Sequence, residues 1–362
     1  MKIKHVNFEI ELEGNGIVNY DSGDQKYLWN RESKKGHKNK FTSADNNNMY
    51  AKKNYERKED DVLDYKIKIS SDALRAAIFS GDAIATNPSI AHHKSLLNSF
   101  IGSTMGLVRG YMFAGKTETL KRKTALTISA AKQTNNAESY MEFHSRSGGK
   151  KVGDDSDKSD TTIFNKETIG DITYKAEGYI NLQSLEFLSA DPIFDRYQFN
   201  SDDYSILKTF LGHNLPNFNG ELGYHALKTS AIDVAEYGVK LTNEQIVYLI
   251  KETLKRILSL RIDRATAFMR LKSLKVELVV NPINLMKKKV WVDINSFEDI
   301  DNLNFEVEES YVLVDESNAR EQRTIIENVI KEEAKKSADA KKAKKPTKKG
   351  GDDETTDETI NN

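Results

Sequence analysis

The sequence predicts an α+β fold in which helices cover one face of a sheet. The first observation is a stretch near the start where apolar and polar residues alternate, with the apolar ones at Val6, Phe8, Ile10 and Leu12. The second is an amphipathic helical pattern over 243–261. The third is a mixture of strand and helix patterns with few βαβ units and no repeat of about 20 to 50 residues, which argues against a solenoid or propeller.

Length and composition indicate a folded, soluble chain. Its 362 residues are 38% hydrophobic, which is enough to bury a sizeable core. The absence of cysteine excludes disulfides, thiolate metal sites and a cysteine nucleophile, and it suits a reducing cytosol. No stretch fits a signal peptide or a bilayer span, so we expect a cytoplasmic protein without a membrane partner.

The net charge of -1, from 54 basic and 55 acidic residues, conceals charged blocks of opposite sign. Ten basic and three acidic residues lie between 26 and 58, and eight basic and three acidic residues between 116 and 151. Between 290 and 330, eleven acidic residues face two arginines. The neutral total therefore does not exclude a polyanionic partner.

The first half of the chain divides into recognisable elements. The opening strand ends at Gly14-Asn15-Gly16, and 21–60 show no sustained period, which predicts a long excursion outside the core. Ser70 or Ser71 is placed to cap a short helix. A second helix is indicated over 96–105, followed by an extended stretch over 107–113.

The second half of the chain also divides into predicted loops, strands and helices. Residues 145–160 resemble a loop, and 161–180 a hairpin-like stretch that 182–188 continue as a buried strand. Thr242-x-x-Gln245 fits a capping box for the strongest helix, and 274–279 form another strand. From about Lys331 the chain is charged with almost nothing apolar, which predicts a disordered tail over 331–362.

One segment matches the phosphate-binding pattern G-x-x-x-x-G-K-[ST], at Gly110–Thr117. That chemistry requires a tight loop after a strand and a helix that opens at Lys116. Three of the four loop positions are bulky, and no apolar helical face follows. A P-loop nucleotidase centred on Lys116 therefore remains only an alternative.

Other motifs lack the context that their chemistry needs. The segment 14–19 begins like a dinucleotide fingerprint but has Asn19 at the third glycine position, so its glycines indicate a sharp turn or a close approach to a ligand. Adjacent His92 and His93 would diverge on a helix. We predict no metal site and no catalytic residue, although a cluster of aspartates could hold a hard cation, at Asp154, Asp155, Asp157 and Asp160.

Several cations lie beside predicted core elements, where phosphate contacts would be ordered. These are Arg75, Arg109, Lys121, Arg122 and Lys123. The alternative is that each is an ordinary solvated surface charge.

Four stretches taken in order resemble one family, the CRISPR-associated RAMP backbone subunits of Cascade-type complexes (the Cas-seven family), and especially the compact variant of subtype I-F. The stretches are 6–20, 69–75 with 106–111, 164–196, and 236–269. They include Phe164-Asn165-Lys166 and Ala265-Thr266-Ala267-Phe268-Met269. The family tends to have glycine near Ala267, and the acidic stretch from about Trp291 has no recognised counterpart.

The resemblance implies a fold and partners. It implies an RRM-like, ferredoxin-fold palm over 1–330, with a finger-like insertion at about 21–60 and a loop and thumb hairpin at 145–178 centred on 161–174. Copies would stack head to tail on a CRISPR RNA (crRNA) and present it to target DNA, with other Cascade subunits at the two ends of the guide. The chain would be a non-catalytic subunit that needs no cofactor.

The resemblance also implies roles for individual residues. Gly14, Asn15 and Gly16 would allow the guide backbone to approach closely, and Phe164 would wedge against a base beside Asn165 and Lys166. The five cations named above would bind phosphates. A related alternative is a type III-like subunit in which one of the four aspartates cleaves target RNA with a metal ion.

Overall fold

The computed structural model describes residues 2–20, 25–30, 35–40, 49–57, 63–81, 93–115, 119–147, 161–228, 234–280 and 290–343. Its strands are β1 (Lys2–Ile3), β2 (His5–Asn15), β3 (Gln25–Asn30), β4 (Lys35–Lys40), β5 (Lys53–Arg57), β6 (Leu63–Ile69), β7 (Tyr111–Ala114), β8 (Thr119–Arg122), β9 (Leu126–Ile128), β10 (Ala131–Gln133), β11 (Ser139–Ser147), β12 (Thr161–Ile169), β13 (Asp171–Asn181), β14 (Phe187–Ser189), β15 (Gly223–Leu227), β16 (Glu236–Lys240), β17 (Arg261–Arg264), β18 (Ala267–Val279), β19 (Val292–Ile294), β20 (Glu306–Val307) and β21 (Tyr311–Leu313).

The helices connect and cover these strands. They are α1 (Ser71–Ile78), α2 (Lys94–Ile101), α3 (Thr104–Arg109), α4 (Leu182–Glu186), α5 (Tyr204–Asn214), α6 (Asn243–Leu258), α7 (Phe297–Asp301) and α8 (Glu316–Ala343). The chain thus mixes helix and sheet, as the sequence predicted.

The main sheet is antiparallel and is built around β2. Its strand order is β17-β18-β2-β13-β10-β6-β5, with β19 on β18 and β9 on β13. Val6, Phe8, Ile10 and Leu12 are completely buried, which confirms the predicted alternation of the opening strand. A second sheet has the order β14-β16-β15-β21.

The buried face of the main sheet packs against helices whose N-terminal caps were predicted correctly, although α6 ends at Leu258 and the predicted end at Arg261 begins β17. Helix α6 begins at the capping box of Thr242 and Gln245 and contacts α1, α3, α4 and β18. Helix α1 begins at Ser70, whose side chain accepts from the Ala73 backbone. Both caps satisfy backbone N–H groups that the first helical turn would otherwise leave unpaired.

The predicted helix over 96–105 is instead two helices, α2 and α3. Helix α2 ends at Gly102. Ser103 then caps α3 by accepting a hydrogen bond from the Gly106 N–H at 3.1 Å. The expected extended stretch was wrong over 107–109, which are helical, because Gly110 with a φ of 76° ends α3 before β7 begins. Similarly, 182–186 form α4 and not a strand, since the Asn181 side chain caps that turn.

The hairpin predicted over 161–180 was paired incorrectly. Strand β12 pairs with β11, from Ser139 opposite Ile169 to Ser147 opposite Thr161, whereas β13 pairs with β2. Only Gly170 separates β12 from β13, which is too short for a hairpin turn. The β11–β12 hairpin therefore leaves the main sheet as a separate two-stranded arm.

The segment 21–60 contributes more regular structure than its composition predicted. Strands β3 and β4 pair in a hairpin, and β5 pairs with β6 at the edge of the main sheet. Part of the predicted excursion is thus an element of the sheet, since backbone pairing does not need an apolar period.

The face of the main sheet opposite the buried one carries charge along its central strand. Glu9, Glu11 and Glu13 occupy the positions of β2 between the buried apolar residues. Glu9 pairs with Lys175 of β13 at 2.7 Å, and Glu13 lies opposite Arg270 of β18. Lysines of the neighbouring strands share this face, with Lys275 opposite Glu9 and with Lys175, Lys132 and Lys68 side by side on β13, β10 and β6. The face therefore carries both signs of charge, and we call Glu9, Glu11 and Glu13 its acidic row.

Helix α8 extends to Ala343, past the start of the predicted disordered tail. Alanine, lysine and glutamate have high helix propensity, which explains why 331–343 are helical despite their low hydrophobicity. The helix is anchored near its start by Ala319, which is fully buried, while Ile325 and Val329 are exposed. None of the described helices is both long and apolar enough to span a bilayer.

Candidate nucleic-acid interface

The glycines of the Gly14-Asn15-Gly16 turn serve protein packing. A Cβ on Gly14 would lie 1.9 Å from the Phe268 carbonyl oxygen, and Gly16 has a φ of 78° with the Thr266 oxygen 2.7 Å from its Cβ position. The Gly16 N–H donates to the carbonyl of Ile169 at 3.0 Å. The close approach predicted for a ligand is therefore occupied by β18 and by the end of β12.

Asn15 lies between the two strands that flank β2. Its side-chain amide donates to Asp171 at 3.2 Å on the β13 side, and its register partner on the other side is Phe268. Asn15 remains partly exposed at the end of β2. We call this edge of the sheet, with Tyr20, Lys166 and Thr266 beside it, the rim.

Lys166 projects from β12 onto the same rim. Its ammonium donates to the Thr266 hydroxyl at 2.5 Å, in the turn between β17 and β18, and lies 5.1 Å from the centroid of the Tyr20 ring. The Tyr20 hydroxyl donates to the Glu167 carbonyl at 3.0 Å. Burial, with help from nearby Glu167 and Glu142, raises the pKa of Tyr20 to about 12, so its phenol stays neutral.

The base of the β11–β12 hairpin is fixed by one buried carboxylate. Glu167 is 3% exposed and accepts from the Ala51 N–H at 2.9 Å and from the Ser139 hydroxyl at 2.5 Å. The Lys53 ammonium lies 2.8 Å from the same carboxylate. Three separate segments therefore meet here, and they hold Lys166 in place.

An arginine and an aromatic ring to which the sequence analysis gave no role in binding lie next to the rim. Phe268 is 43% exposed, and the Arg270 guanidinium lies 5.4 Å from the centroid of its ring. The signal available in the sequence was the alternation of β18, where Ala267 and Met269 are buried. That alternation puts Phe268 and Arg270 together on the opposite face.

The predicted phosphate ligands Arg75 and Arg109 are brought together by two helix ends. Arg75 lies in the last turn of α1 and Arg109 in the last turn of α3. Burial, followed by the positive charge of Arg75, lowers the pKa of Arg109. Asp72 forms an ion pair with Arg75. Two neighbouring guanidinium groups balanced by one carboxylate leave an excess positive charge.

A hydrogen bond at the cap of α1 connects the helix that carries Arg75 to the segment that precedes Tyr20. The backbone N–H of Ser70, the cap of α1, donates to the side-chain oxygen of Asn19 at 2.9 Å. Asn19 is adjacent to Tyr20, and α1 contacts β17. The helix that carries Arg75 is therefore attached to the segment whose Tyr20 ring lies beside Lys166.

Arg122 was predicted to bind phosphate, and this prediction was wrong. It is only 4% exposed, and its guanidinium donates to protein carbonyls, including Leu107 at 2.9 Å, Phe187 at 3.1 Å and Ser184 at 2.8 Å. Every second residue of β8 faces the core, and Arg122 is one of them. It stabilises the packing of α3 and α4 and is not available to phosphate.

Its two neighbours differ from it. Lys121 is partly exposed and forms an ion pair with Asp195, and Lys123 is exposed beside the Gly110 turn. Neither residue has a described contact with the rim that carries Lys166.

The P-loop match does not have the required geometry. Its residues 111–114 form β7, which pairs with β8 in a hairpin, and 119 already belongs to β8. No helix opens after Lys116, because residue 119 is in a strand; 116–118 themselves lie outside the described residues. The nucleotidase alternative therefore loses its structural basis.

The other predicted site residues are those of β12 and the four aspartates that precede it. Asn165 is exposed, and its carbonyl accepts from the Met49 N–H at 2.9 Å. Phe164 is placed in β12 opposite His144, but its side chain is outside the described part, as are the four aspartates over 154–160. Among the described residues, no group of three or more potential ligands could hold a metal ion.

The comparisons with known proteins point to one family. A family model described as "Type I-Fv CRISPR-associated protein Cas7fv-like" matches residues 2–311. No curated protein matches the chain.

Solved structures give weaker similarities. One belongs to a CRISPR RNA-guided surveillance complex, with 11% identity and a TM-score of 0.32, covering 77% of this chain and 72% of that chain. Another belongs to a pre-nicking CRISPR RNA-guided surveillance complex, with 8% identity and a TM-score of 0.33, covering 77% and 80%.

Proposed function

Since the chain belongs to the Cas7fv-like family of type I-Fv CRISPR-associated proteins, we propose that it is the crRNA-binding backbone subunit of a type I surveillance complex. In this proposal, copies assemble head to tail along the guide and present it for pairing with target DNA, and other Cascade subunits bind the two ends. The observation that carries the proposal is the excess positive charge of Arg75 and Arg109, connected to the rim with Lys166.

The main sheet would be the RRM-like palm, and the β11–β12 hairpin the thumb. This assignment moves the thumb from 161–174 to both strands of the hairpin, 139–147 and 161–169. The β3–β4 hairpin within 21–60 would be the finger.

The charge of the palm favours one path for the guide. RRM domains stack bases on aromatic residues of their central strands. Here β2 presents the acidic row of Glu9, Glu11 and Glu13, whose carboxylates pair with or lie opposite cations of the neighbouring strands. These positions of β2 therefore carry no aromatic ring for a base, and the cations beside them are already engaged with protein carboxylates. The guide would instead follow the rim past Lys166 towards Arg75 and Arg109.

Contacts of this type suit a subunit that coats any guide sequence. Lysine and arginine bind phosphates without reading bases, and the specificity then comes from base pairing by the guide. We propose that the subunit is non-catalytic, needs no cofactor and acts in the cytoplasm.

The test is co-purification of the full chain expressed with a CRISPR transcript. We expect nuclease-protected RNA in regular length increments, released as salt is raised. A protein that stays free of nucleic acid at low salt would contradict the proposal. Regularly spaced cuts in complementary RNA with magnesium would instead favour the cleaving alternative.

A further inference from the structure

We propose that Phe268 and Arg270 form a stacking platform for one unpaired base of a bound single-stranded RNA. The inference rests on the proposed function and deepens it, because it adds a base contact to the phosphate contacts. It concerns residues outside the cations and the hairpin that the sequence indicated.

The exposure of Phe268 is the first argument. Its neighbours Ala267 and Met269 are 6% and 1% exposed, whereas Phe268 is 43% exposed. A large aromatic ring on an open sheet face leaves apolar area in water, and a flat ligand could cover it.

The position of Arg270 is the second argument. It follows Phe268 by two residues on the same face of β18, and its guanidinium lies 5.4 Å from the ring centroid. Arginine planes stack on nucleobases as well as on aromatic rings, and they attract phosphate. A base that reaches this pair can therefore contact a ring and a guanidinium together.

The neighbouring charges explain why the platform lies at the rim. Asp263, opposite Phe268, forms an ion pair with Arg261, and Asp171 accepts from the Asn15 amide. Glu13 lies opposite Arg270 and is the last residue of the acidic row. The phosphates would then stay outside, towards Lys166, while the uncharged base points inward.

A second cationic aromatic pair continues the surface. Lys166 contacts Thr266, two residues before Phe268, and also lies over the Tyr20 ring. A phosphate of the RNA bound at Lys166 would place the neighbouring nucleotide beside Phe268 and Arg270. Stacking of this type tolerates any base, since every base has a π-face.

The experiment measures binding of full-length protein to a single-stranded RNA that carries 2-aminopurine, by polarisation and by fluorescence quenching. We expect Phe268→Leu to lower the affinity by about 10-fold and to reduce the quenching, with an unchanged salt slope. Phe268→Tyr should stay within about 2-fold of the native chain, because it keeps the ring. Arg270→Ala should weaken binding and also lower the salt slope.

Phe297→Leu is the matched control, because Phe297 is 51% exposed on α7, which contacts β19, and β19 pairs with β18 only at 274–276. Native-like affinity and quenching in Phe268→Leu, alongside a native chain that binds, would overturn the platform and leave the proposed function standing. Failure of the native chain to bind any RNA would overturn both. A loss of affinity that Phe268→Tyr does not restore would also count against stacking.

Discussion

The guanidinium of Arg122 donates a 2.9 Å hydrogen bond to the carbonyl oxygen of Leu107, the residue two positions before Arg109. Burial lowers the pKa of Arg122 to about 10, so the group is still charged at neutral pH. A buried charge satisfied by several carbonyls is costly to disturb. Arg122 thus supports the helix end that carries a candidate phosphate ligand.

The first prediction concerns Arg122 and its exposed neighbour. Arg122→Lys should lower the free energy of unfolding by about 3 kcal/mol, because lysine cannot reproduce the branched set of donors. Urea denaturation measures the change. Lys123→Ala is the control and should shift the midpoint little, since Lys123 is exposed. Equal stability of the Arg122 variant and the native chain would refute the structural role.

The second prediction concerns the glycine turn. Gly14→Ala should destabilise the fold by about 2–3 kcal/mol, because the new Cβ would overlap the Phe268 carbonyl oxygen. Thermal unfolding gives the measurement. Gly212→Ala in α5 serves as the control; no atom lies within 4 Å of its Cβ position, so it should raise stability by up to about 1 kcal/mol. A stable Gly14→Ala protein would show that the turn has free space after all.

The third prediction concerns the paired arginines. Replacing both Arg75 and Arg109 by alanine should weaken RNA binding and reduce the slope of log affinity against log salt by about 1.4, from roughly 0.7 for each lost contact to a single strand. Titrations at several salt concentrations measure that slope. Arg320→Ala removes an arginine that pairs with Glu316 on α8 and should leave the slope unchanged.

The fourth prediction concerns the attachment of α8. Arg323 forms an ion pair with Asp191, whose side chain is completely buried, and lies 5.4 Å from the Tyr224 ring centroid. Arg323→Met should cost about 3–5 kcal/mol, because it leaves an unpaired buried carboxylate.

A double-mutant cycle with Asp191→Asn checks this assignment. The two changes together should cost clearly less than the sum of the single changes, because each removes the same pair. Simple additivity would indicate that Arg323 and Asp191 act independently.

The fifth prediction concerns pH. Burial is the main cause that lowers the pKa of His225 from its ordinary value of 6.5. Below about pH 6.5 the unfolded chain therefore binds a proton that the folded chain resists, so stability falls as the pH falls. His225→Phe should reduce this loss, measured as unfolding free energy between pH 7 and pH 5. The same change at exposed His213 controls for removal of an imidazole.

Local patterns predicted those parts of the fold that depend on local chemistry. The alternation of β2 and the caps of α1 and α6 are encoded within a few residues, and each was found. The partner of β12 was not, because β13 follows β12 but pairs with β2, which is distant in sequence, and this leaves β12 to pair with the preceding strand β11.

The candidate site divides in the same way. Arg75 and Arg109 could be named because they lie beside predicted core elements, yet their proximity is a property of the packing. Arg122 was misassigned because a charged residue within a cluster reads as exposed, while its place on the inner face of β8 depends on strand register. Phe268 was given no role because the predicted strand began at 274, so the alternation that exposes Phe268 and Arg270 lay outside it.

The β11–β12 hairpin is joined to the main sheet by two short connections, Gly170 before β13 and residues 134–138 after β10. Strand β12 is held as far as Asn165, whose carbonyl accepts from the Met49 N–H, so its outer end consists of the four residues 161–164, roughly 14 Å at about 3.4 Å each. A Cβ at Gly170 would meet nothing within 4 Å, so local packing leaves room there. The direction of this outer end depends on the contacts at Glu167, so the loss of one of them would move the residues farthest from the main sheet most.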